Sequence, residues 1–589
     1  MVLVKLVLTT LNAKYIHSSL AIRYLREYCR QTRVAVITKE YTINNSLHDM
    51  LADLYAQEPD VVAFACYIWN IDMMLQLASM LRKVLPKAVI VFGGPEVSYC
   101  PEKLLEQHHY IDYIIMGEGE NTLNTLLSKL LNEEDVTNIS GIAYRNQTGM
   151  VICSGKPQIV DCLSALPFAY DDRDMEELKD KIIYYESSRG CPFSCQYCLS
   201  SAAAGVRFLP VERVLAEMDF FILHKVKQVK FVDRTFNASK THCFAIWKYL
   251  CNVQCETNFH FEISAELLDE EMLAFLKTVP VGRFQFEIGV QSTNEATLEA
   301  IQRRNNWPLI VKNVERIISY GNIHVHLDLI VGLPYETYAS FSRSFDQVYG
   351  LYPDMLQIGF LKMLKGTGIR EQSAEHNYVY VDQAPYEVLS NRYLSYREVR
   401  QLKIMEDLFN QLYNSGRFIH TLSWLIELYG QGAFAFYTDF AKYWEASGLH
   451  AKAHSPKTIY RVIAEFSQTF APEKQDICLE WLKFDALLHR AASKDTEFLP
   501  WNGEKWLPEK NALWREPAKM QYYVPSYFFS NWRAVKNGFP IEVFKVNIPE
   551  YLQHGGSLQL GNTPVLFYEN LHERKYSRLR DADFWMIEG

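Results

Sequence analysis

The stretch RGCPFSCQYC, Arg189–Cys198, decides how this chain is read. It sets Cys191, Cys195 and Cys198 at spacing C-x3-C-x2-C, with no fourth cysteine at a matching distance. A structural zinc site takes four ligands, commonly as two close pairs. The other close pair, Cys251 and Cys255 in CNVQC, falls on a helix-to-loop stretch and completes no such set. Three thiolates on a loop leaving a strand can instead hold three irons of a [4Fe–4S] cluster. The fourth iron then stays open to bind a small molecule and pass it an electron.

The surroundings support that placement. From residue 182 to 370 the runs IIYYESSRG, QVKFVD, NFHFEIS, RFQFEIGVQS, IHVHLDLIVGLP and MLQIGFLKML alternate with helical stretches such as Val211–His224 and Tyr335–Tyr349. Six strands predict a partial (βα)6 barrel with its site at the C-terminal strand ends. Upstream, residues 1–135 hold five apolar runs, VKLVLTT, RVAVIT, DVVAFACY, AVIVFGG and DYIIMGEG, separated by helices such as Leu20–Cys29 and Asp72–Leu85. That order predicts a Rossmann-like, doubly wound parallel sheet, with ligands beyond the C-terminal strand ends. Residues 136–181 read as a hairpin followed by a linker containing the acidic run YDDRDMEELKD. Residues 371–589 turn to helical periodicity, with an α+β end, and form a mostly helical C-terminal extension.

Composition narrows the class. The chain has 589 residues, 49% hydrophobic and 22% charged, so disorder is not the default and three to four domains are expected. Aromatics reach 14%, which reads first as thick aromatic packing and second as burial of large flat groups. A net charge of −9 argues against a polyanion binder. The N-terminal run has no cleavage site and no 18-residue apolar span, so it reads as a buried strand rather than a signal or membrane anchor. Most of the 12 cysteines sit singly in apolar runs, which argues against a disulfide framework and for a cytoplasmic home.

CPFSCQYC, with Tyr197 directly before the last cysteine, resembles the signature of the radical S-adenosylmethionine (SAM) superfamily, and the likeness extends over residues 182–370. The resemblance implies Cys191, Cys195 and Cys198 as cluster ligands and Tyr197 beside the adenine of SAM. Further SAM contacts are expected at the strand ends: Asp233 in FVDRTFN, Glu262 and Ser264 in FHFEIS, and Glu287 and Gln291 in FEIGVQS. FVDRTFN departs from the Gly-Gly-Glu-like turn that the superfamily shows there. For Glu262 and Glu287 the other reading is a carboxylate paired within the barrel.

The strand ends upstream carry FGGPEVS, with Gly93, Gly94, Pro95 and Glu96, and IIMGEGENT, with Gly117 and Glu118 opening a helix. Followed by such a barrel, this sheet resembles that of cobalamin-binding-domain radical SAM proteins over residues 1–370. The resemblance implies a cobalamin touched by these residues, by His17, Ser18 and Ser19 after the first strand, and by Tyr67 and Trp69 in CYIWN. The D-x-H-x-x-G motif of methionine-synthase-type sheets is absent. His17 is therefore either the lower cobalt ligand or a polar loop residue, and Tyr67 and Trp69 either face the corrin or pack in the core.

Together the halves imply a cobalamin-dependent radical SAM methyltransferase. A 5′-deoxyadenosyl radical would abstract hydrogen from an unactivated carbon, and methylcobalamin would supply the methyl group. The implied partners are a small-molecule substrate and an electron donor of the flavodoxin or ferredoxin type. A cyclase or rearrangement enzyme using cobalamin without methyl transfer is the second reading, and a non-catalytic cobalamin- or redox-responsive binding protein the third. A methylthiotransferase is disfavoured, because residues 1–135 lack the additional cluster-binding cysteines of those enzymes. An RNA-modifying role would rest on Arg303, Arg304, YREVRQ and LHERKYSRLRD, runs that are usually solvated faces. The C-terminal region resembles the uncharacterised extension of one cobalamin-domain subgroup, with the implied job of closing the open barrel side.

Overall fold

The computed structural model describes the chain except residues 1–3, 33, 203–204, 490–495, 503, 526, 530, 571–572 and 580–589. It divides into two compact units, one ending at Val399 and one beginning at Arg400.

The first unit starts with β1 (Val4–Asn12), β2 (Val34–Thr42), β3 (Val61–Ala65), β4 (Val89–Gly93) and β5 (Tyr113–Ile115), all parallel. Helices Leu20–Cys29, Ile71–Val84 and Gly119–Leu131 lie among the crossovers. Every residue of β3 is buried, as a strand covered on both faces requires. One face carries Val62, Phe64, Met74 and Leu77, and the other Leu8, Ala63, Ile115 and Leu126. The sheet order is β2-β1-β3-β4-β5-β6-β7, so the chain reverses direction between β1 and β3 and leaves a crevice there. The hairpin β6 (Ile142–Arg145) and β7 (Val151–Ser154) extends the sheet antiparallel from β5.

The acidic run read as linker is folded structure. Asp172–Glu177 is a helix closed by a capping box between Asp171 and Asp174. Asp174 is buried and takes Arg23 Nε at 3.2 Å and Arg26 Nη2 at 2.5 Å. Its acids are a cap and an ion-pair partner, which composition alone does not distinguish from a solvated stretch.

The half-barrel follows. Its strands are β8 (Ile183–Tyr185), β11 (Gln228–Phe231), β12 (Asn258–Glu262), β13 (Phe284–Gln291), β14 (His324–Val331) and β15 (Met355–Phe360). They form one six-stranded parallel sheet in the order β15-β14-β13-β12-β11-β8. The run IIYYESSRG is not one strand: β8 stops at Tyr185, and β9 (Ser188–Cys191) pairs antiparallel with β10 (Gly205–Phe208). At this break Ser187 N and Oγ bond Asp233, at 3.0 and 2.7 Å, which turns the chain out of the barrel sheet. Gly190 has φ +110, and a Cβ there would lie 2.2 Å from Gly205 O, so the ribbon carrying Cys191 needs glycine at this point.

β13 alternates buried and half-buried along its whole length. Phe284 and Phe286 pack outward with Trp247 and Phe261, whose ring centroids lie 5.4 to 6.3 Å from theirs. Gln285, Glu287, Gly289 and Gln291 therefore face the lumen. A short ribbon of β16 (Val379–Tyr380) and β17 (Val388–Ser390) ends this unit.

The second unit is mostly helical: among the described residues, five α-helices between Ile419 and Trp514 pack through buried Trp444, Trp481, Tyr437 and Tyr460. It closes on an antiparallel sheet of β18 (Ile541–Val546), β19 (Leu560–Asn570) and β20 (Glu573–Arg578). Among the described residues no helix is long and apolar enough to cross a membrane.

Candidate active site

A cavity of about 590 Å³ opens at the ends of β1, β3, β4 and β5, and the half-barrel contributes Tyr184, Glu186, Arg189 and Arg234 to its wall. That volume is in the usual range for a small-molecule site. His17, Ser18 and Ser19 enter after β1, and Tyr67 and Trp69 after β3. Gly93, Gly94 and Pro95 enter after β4, and Gly117 and Glu118 after β5.

Of the aromatic pair, Tyr67 packs against the apolar core under the sheet while Trp69 faces the cavity. Tyr67 and Trp69 stack at 4.5 Å and 4°, and Trp69 remains 46% exposed while its Nε1 donates to Leu11 O at 2.9 Å. The result is a flat, fixed apolar slab. His17 Nδ1 lies 2.7 Å from the Tyr184 hydroxyl, and burial, with help from Lys14 and Lys230, holds its pKa below the usual imidazole value. A neutral imidazole is the form that binds metals. Ser18 Oγ donates to Ile182 O at 2.7 Å, whereas buried Ser19 Oγ has no partner among the described residues and is available to a polar ligand. Gly94 is demanded by the backbone: its φ is +108, and a Cβ would stand 2.6 Å from Cys66 O.

Two acids expected at this cavity have other work. Glu96 is buried outside the cavity lining, with Lys365 Nζ at 2.5 Å and the Tyr386 hydroxyl on its carboxylate. Glu118 lines the rim but is fully engaged by Arg207, Arg189 and the Val160 amide at 2.7 Å. Burial would raise its pKa, yet these donors hold it below the ordinary value.

The cysteine loop adjoins the same cavity. Arg189, which lines it, is fixed by Glu186 and Glu120, both at 2.9 Å, and β9 ends at Cys191. Cys191 Sγ lies 3.6 Å from Thr235 Oγ1, and Cys198 N donates to Cys195 O at 3.1 Å. Burial lifts the Cys195 thiol above its ordinary pKa, with Cys198 and Cys191 acting in the same sense and Arg303 against.

Arg303, read from sequence as a scattered surface base, is half-buried against this loop. Its Nη1 lies 3.7 Å from Cys195 Sγ and 3.3 Å from the Tyr197 hydroxyl, its Nη2 donates to Gly289 O, and its Nε has no partner among the described residues. A half-buried guanidinium with a spare donor suits an anionic cluster and a carboxylate ligand. The basic run at 571–581, the other base-rich candidate, lies partly outside the described residues.

The expected SAM contacts separate into two groups. Tyr197 packs against Leu333 of the Gly-Leu-Pro turn and against Leu361 and Met363. Gln291, at φ +69, folds its amide over Gly289, where a Cβ would stand 2.1 Å from Gln291 Nε2 and 3.5 Å from Arg303 Nη2. These residues gather at the cysteines. Asp233 does not reach for a ligand: it is 1% exposed and accepts from Ser187 and Ser188, whose hydroxyls hold it to about pKa 6 against the upward push of burial. Ser264 N donates to Asn237 Oδ1 at 2.9 Å, tying the end of β12 to that of β11. Glu262 stands across from Glu287 in the β12–β13 register. Burial and that neighbour raise Glu262 to about 7, against Arg234 and Lys230. Burial alone would raise Glu287 too, but contact with His260 and the Lys230 ammonium at 2.8 Å holds it far below the usual carboxylate range.

Residues 6–127 match the family model of the B12 binding domain, and residues 185–348 that of the radical SAM superfamily. The chain joins a B12-binding domain to a radical SAM domain. Residues 374–567 match a family described as a protein of unknown function, DUF4080. Among curated proteins it is 28% identical over 308 residues to the cobalamin-dependent radical SAM methyltransferase TokK of Streptomyces tokunonensis, covering 48% of this chain and 44% of that one. It is 23% identical to the anaerobic magnesium-protoporphyrin IX monomethyl ester cyclase of a Synechocystis species, over 54% of this chain and 64% of the cyclase. The chain thus spans about half the length of the curated relatives it matches. The solved structure of the cobalamin-dependent SAM radical enzyme OxsB with aqua-cobalamin superposes with a TM-score of 0.61 at 15% identity, over 84% of this chain and 81% of that one, a likeness of fold.

Proposed function

We propose that this chain is a cobalamin-dependent radical SAM methyltransferase acting on an unactivated carbon of a small molecule. One observation carries the reading: the cysteine loop and the β1/β3 cavity share a wall, since Arg189 and Arg234 line the cavity while Cys191 and Thr235 stand beside them. When bound, a [4Fe–4S] cluster with SAM supplies a hydrogen-abstracting radical and cobalamin supplies a methyl group.

The chain's own residues do the positioning. Cys191, Cys195 and Cys198 hold the cluster, and Arg303 offsets its negative charge while offering Nε to the SAM carboxylate. Tyr197, Gln291, Glu262 and Ser264 contact SAM, and Asp233 acts indirectly by fixing Ser187 and Ser188. Glu287 belongs to the lumen network rather than to SAM. Tyr67, Trp69, Ser19 and the Gly93–Pro95 turn would line the cobalamin site, and His17, fixed by Tyr184, would serve there as a cobalt ligand or as a polar lining residue. Residues 1–135 form the cobalamin module and 182–370 the SAM module. Electrons come from a flavodoxin- or ferredoxin-type donor.

The similarity to an anaerobic cyclase supports a second reading beside it, a cyclisation or rearrangement that would use cobalamin without methyl transfer. Feeding methyl-labelled SAM to a strain carrying or lacking the gene separates the two. A metabolite that carries label only when the gene is present supports methyl transfer. An unlabelled metabolite that depends on the gene supports the cyclase or rearrangement reading.

A further inference from the structure

The half-barrel lumen holds a second cluster of metal-ligating side chains, separate from the cysteines. Glu287 on β13 stands in register with His326 on β14, and Asp328 lies two residues on, on the same face. One donor atom from each of Glu287, His326 and Asp328 falls within 4.8 Å of the others. His260 on β12 approaches from the other side, with Nε2 3.1 Å from Glu287 Oε2.

A barrel can fill its lumen with a self-satisfied polar network, but this one is not satisfied. His326 Nε2 and Asp328 Oδ1 are 3.0 Å apart without the alignment of a hydrogen bond, and neither has another partner among the described residues. His260 Nε2 stays paired with Glu287 Oε2, and both histidines are only 6% exposed. Buried polar atoms placed as His326 Nε2 and Asp328 Oδ1 are call for an occupant. The spacing indicates which: two donors about 2.1 Å from one ion, at right to tetrahedral angles, lie about 3.0–3.4 Å apart. One imidazole with two carboxylates, from His326, Glu287 and Asp328, suits a first-row transition-metal dication. Glu287 and Asp328 keep 22% and 17% side-chain exposure, which leaves an approach from the lumen.

We infer that Glu287, His326 and Asp328 form a binding site for one divalent first-row metal ion inside the half-barrel, with His260 as the neighbour that orients Glu287. The site is independent of the iron–sulfur and cobalamin assignments, and its failure would leave those intact. Lys230 Nζ, 2.8 Å from Glu287 Oε2, is the competing cation. Removing it should tighten metal binding.

The test uses Mn2+, which thiols take poorly, titrated into the full-length, cluster-loaded chain and followed by loss of the free-ion EPR signal. The expected result is one Mn2+ per chain, with affinity lowered at least about tenfold in His326→Ala and in Asp328→Asn and raised in Lys230→Met. Thermal melting checks that each variant folds. Should His326→Ala not fold, the isosteric Asp328→Asn decides alone. Absence of stoichiometric binding, or affinity unchanged in the folded variants, overturns the site.

Discussion

The two parallel sheets of the first unit use their strands differently. In the N-terminal sheet β3 is buried on both faces, so chemistry is confined to the loops beyond the strand ends. In the half-barrel, β13 and β14 bury one face and turn Glu287, Gln291, His326 and Asp328 to a lumen that stays partly open. One sheet is a platform with a site at its tip. The other carries functional groups along its length, which predicts that single substitutions affect the two in different ways.

The largest difference should come from Cys195→Ala. Losing one of three cluster ligands should abolish 5′-deoxyadenosine formation from SAM and strip most of the iron, while hydroxocobalamin still binds. Retained SAM cleavage would sink the cluster assignment. On the platform side, Gly94→Ala forces a side chain against Cys66 O at φ +108. It should cost about 1–3 kcal/mol of stability, seen as a lower melting temperature, and should impair cobalamin retention with the iron content unchanged.

Arg303→Ala should weaken SAM binding about tenfold, since a charge-assisted hydrogen bond contributes about 1.5–3 kcal/mol. Arg303→Lys should rescue it only in part, because an ammonium cannot reach Cys195, Tyr197 and Gly289 together. Trp69→Ala should lower cobalamin affinity with little change in melting temperature, because the ring is exposed.

The smallest effect is a pH dependence. Glu262 is raised by burial, and by Glu287, from an ordinary 4.5 to about 7. A carboxyl with a raised folded-state pKa contributes its stability below 4.5 and loses it as pH climbs to about 7. Melting temperature should therefore fall across that window, and Glu262→Gln should flatten the fall.

The legible parts of the sequence were those with local signatures. The cysteine triplet, the Gly-rich strand ends and the alternation of RFQFEIGVQS each state their geometry within a few residues. Arg303 was not legible, because its burial depends on the chain returning to the cysteine loop, where Gln196 N donates to Ile301 O at 2.9 Å. Glu96 misled for the opposite reason: its neighbours suit a ligand turn, but its partners Lys365 and Tyr386 are far along the chain. The break between β8 and β9 depends on Asp233, again distant in sequence.

The central claim is that two cofactor sites face each other across the wall formed by Arg189, Cys191, Arg234 and Thr235. EPR of the full-length chain holding both a reduced cluster and cob(II)alamin tests it most directly. The expected result is that each paramagnet broadens and speeds the relaxation of the other, and that Cys195→Ala removes the effect. A chain that retains both centres but shows magnetically independent spectra would contradict the account.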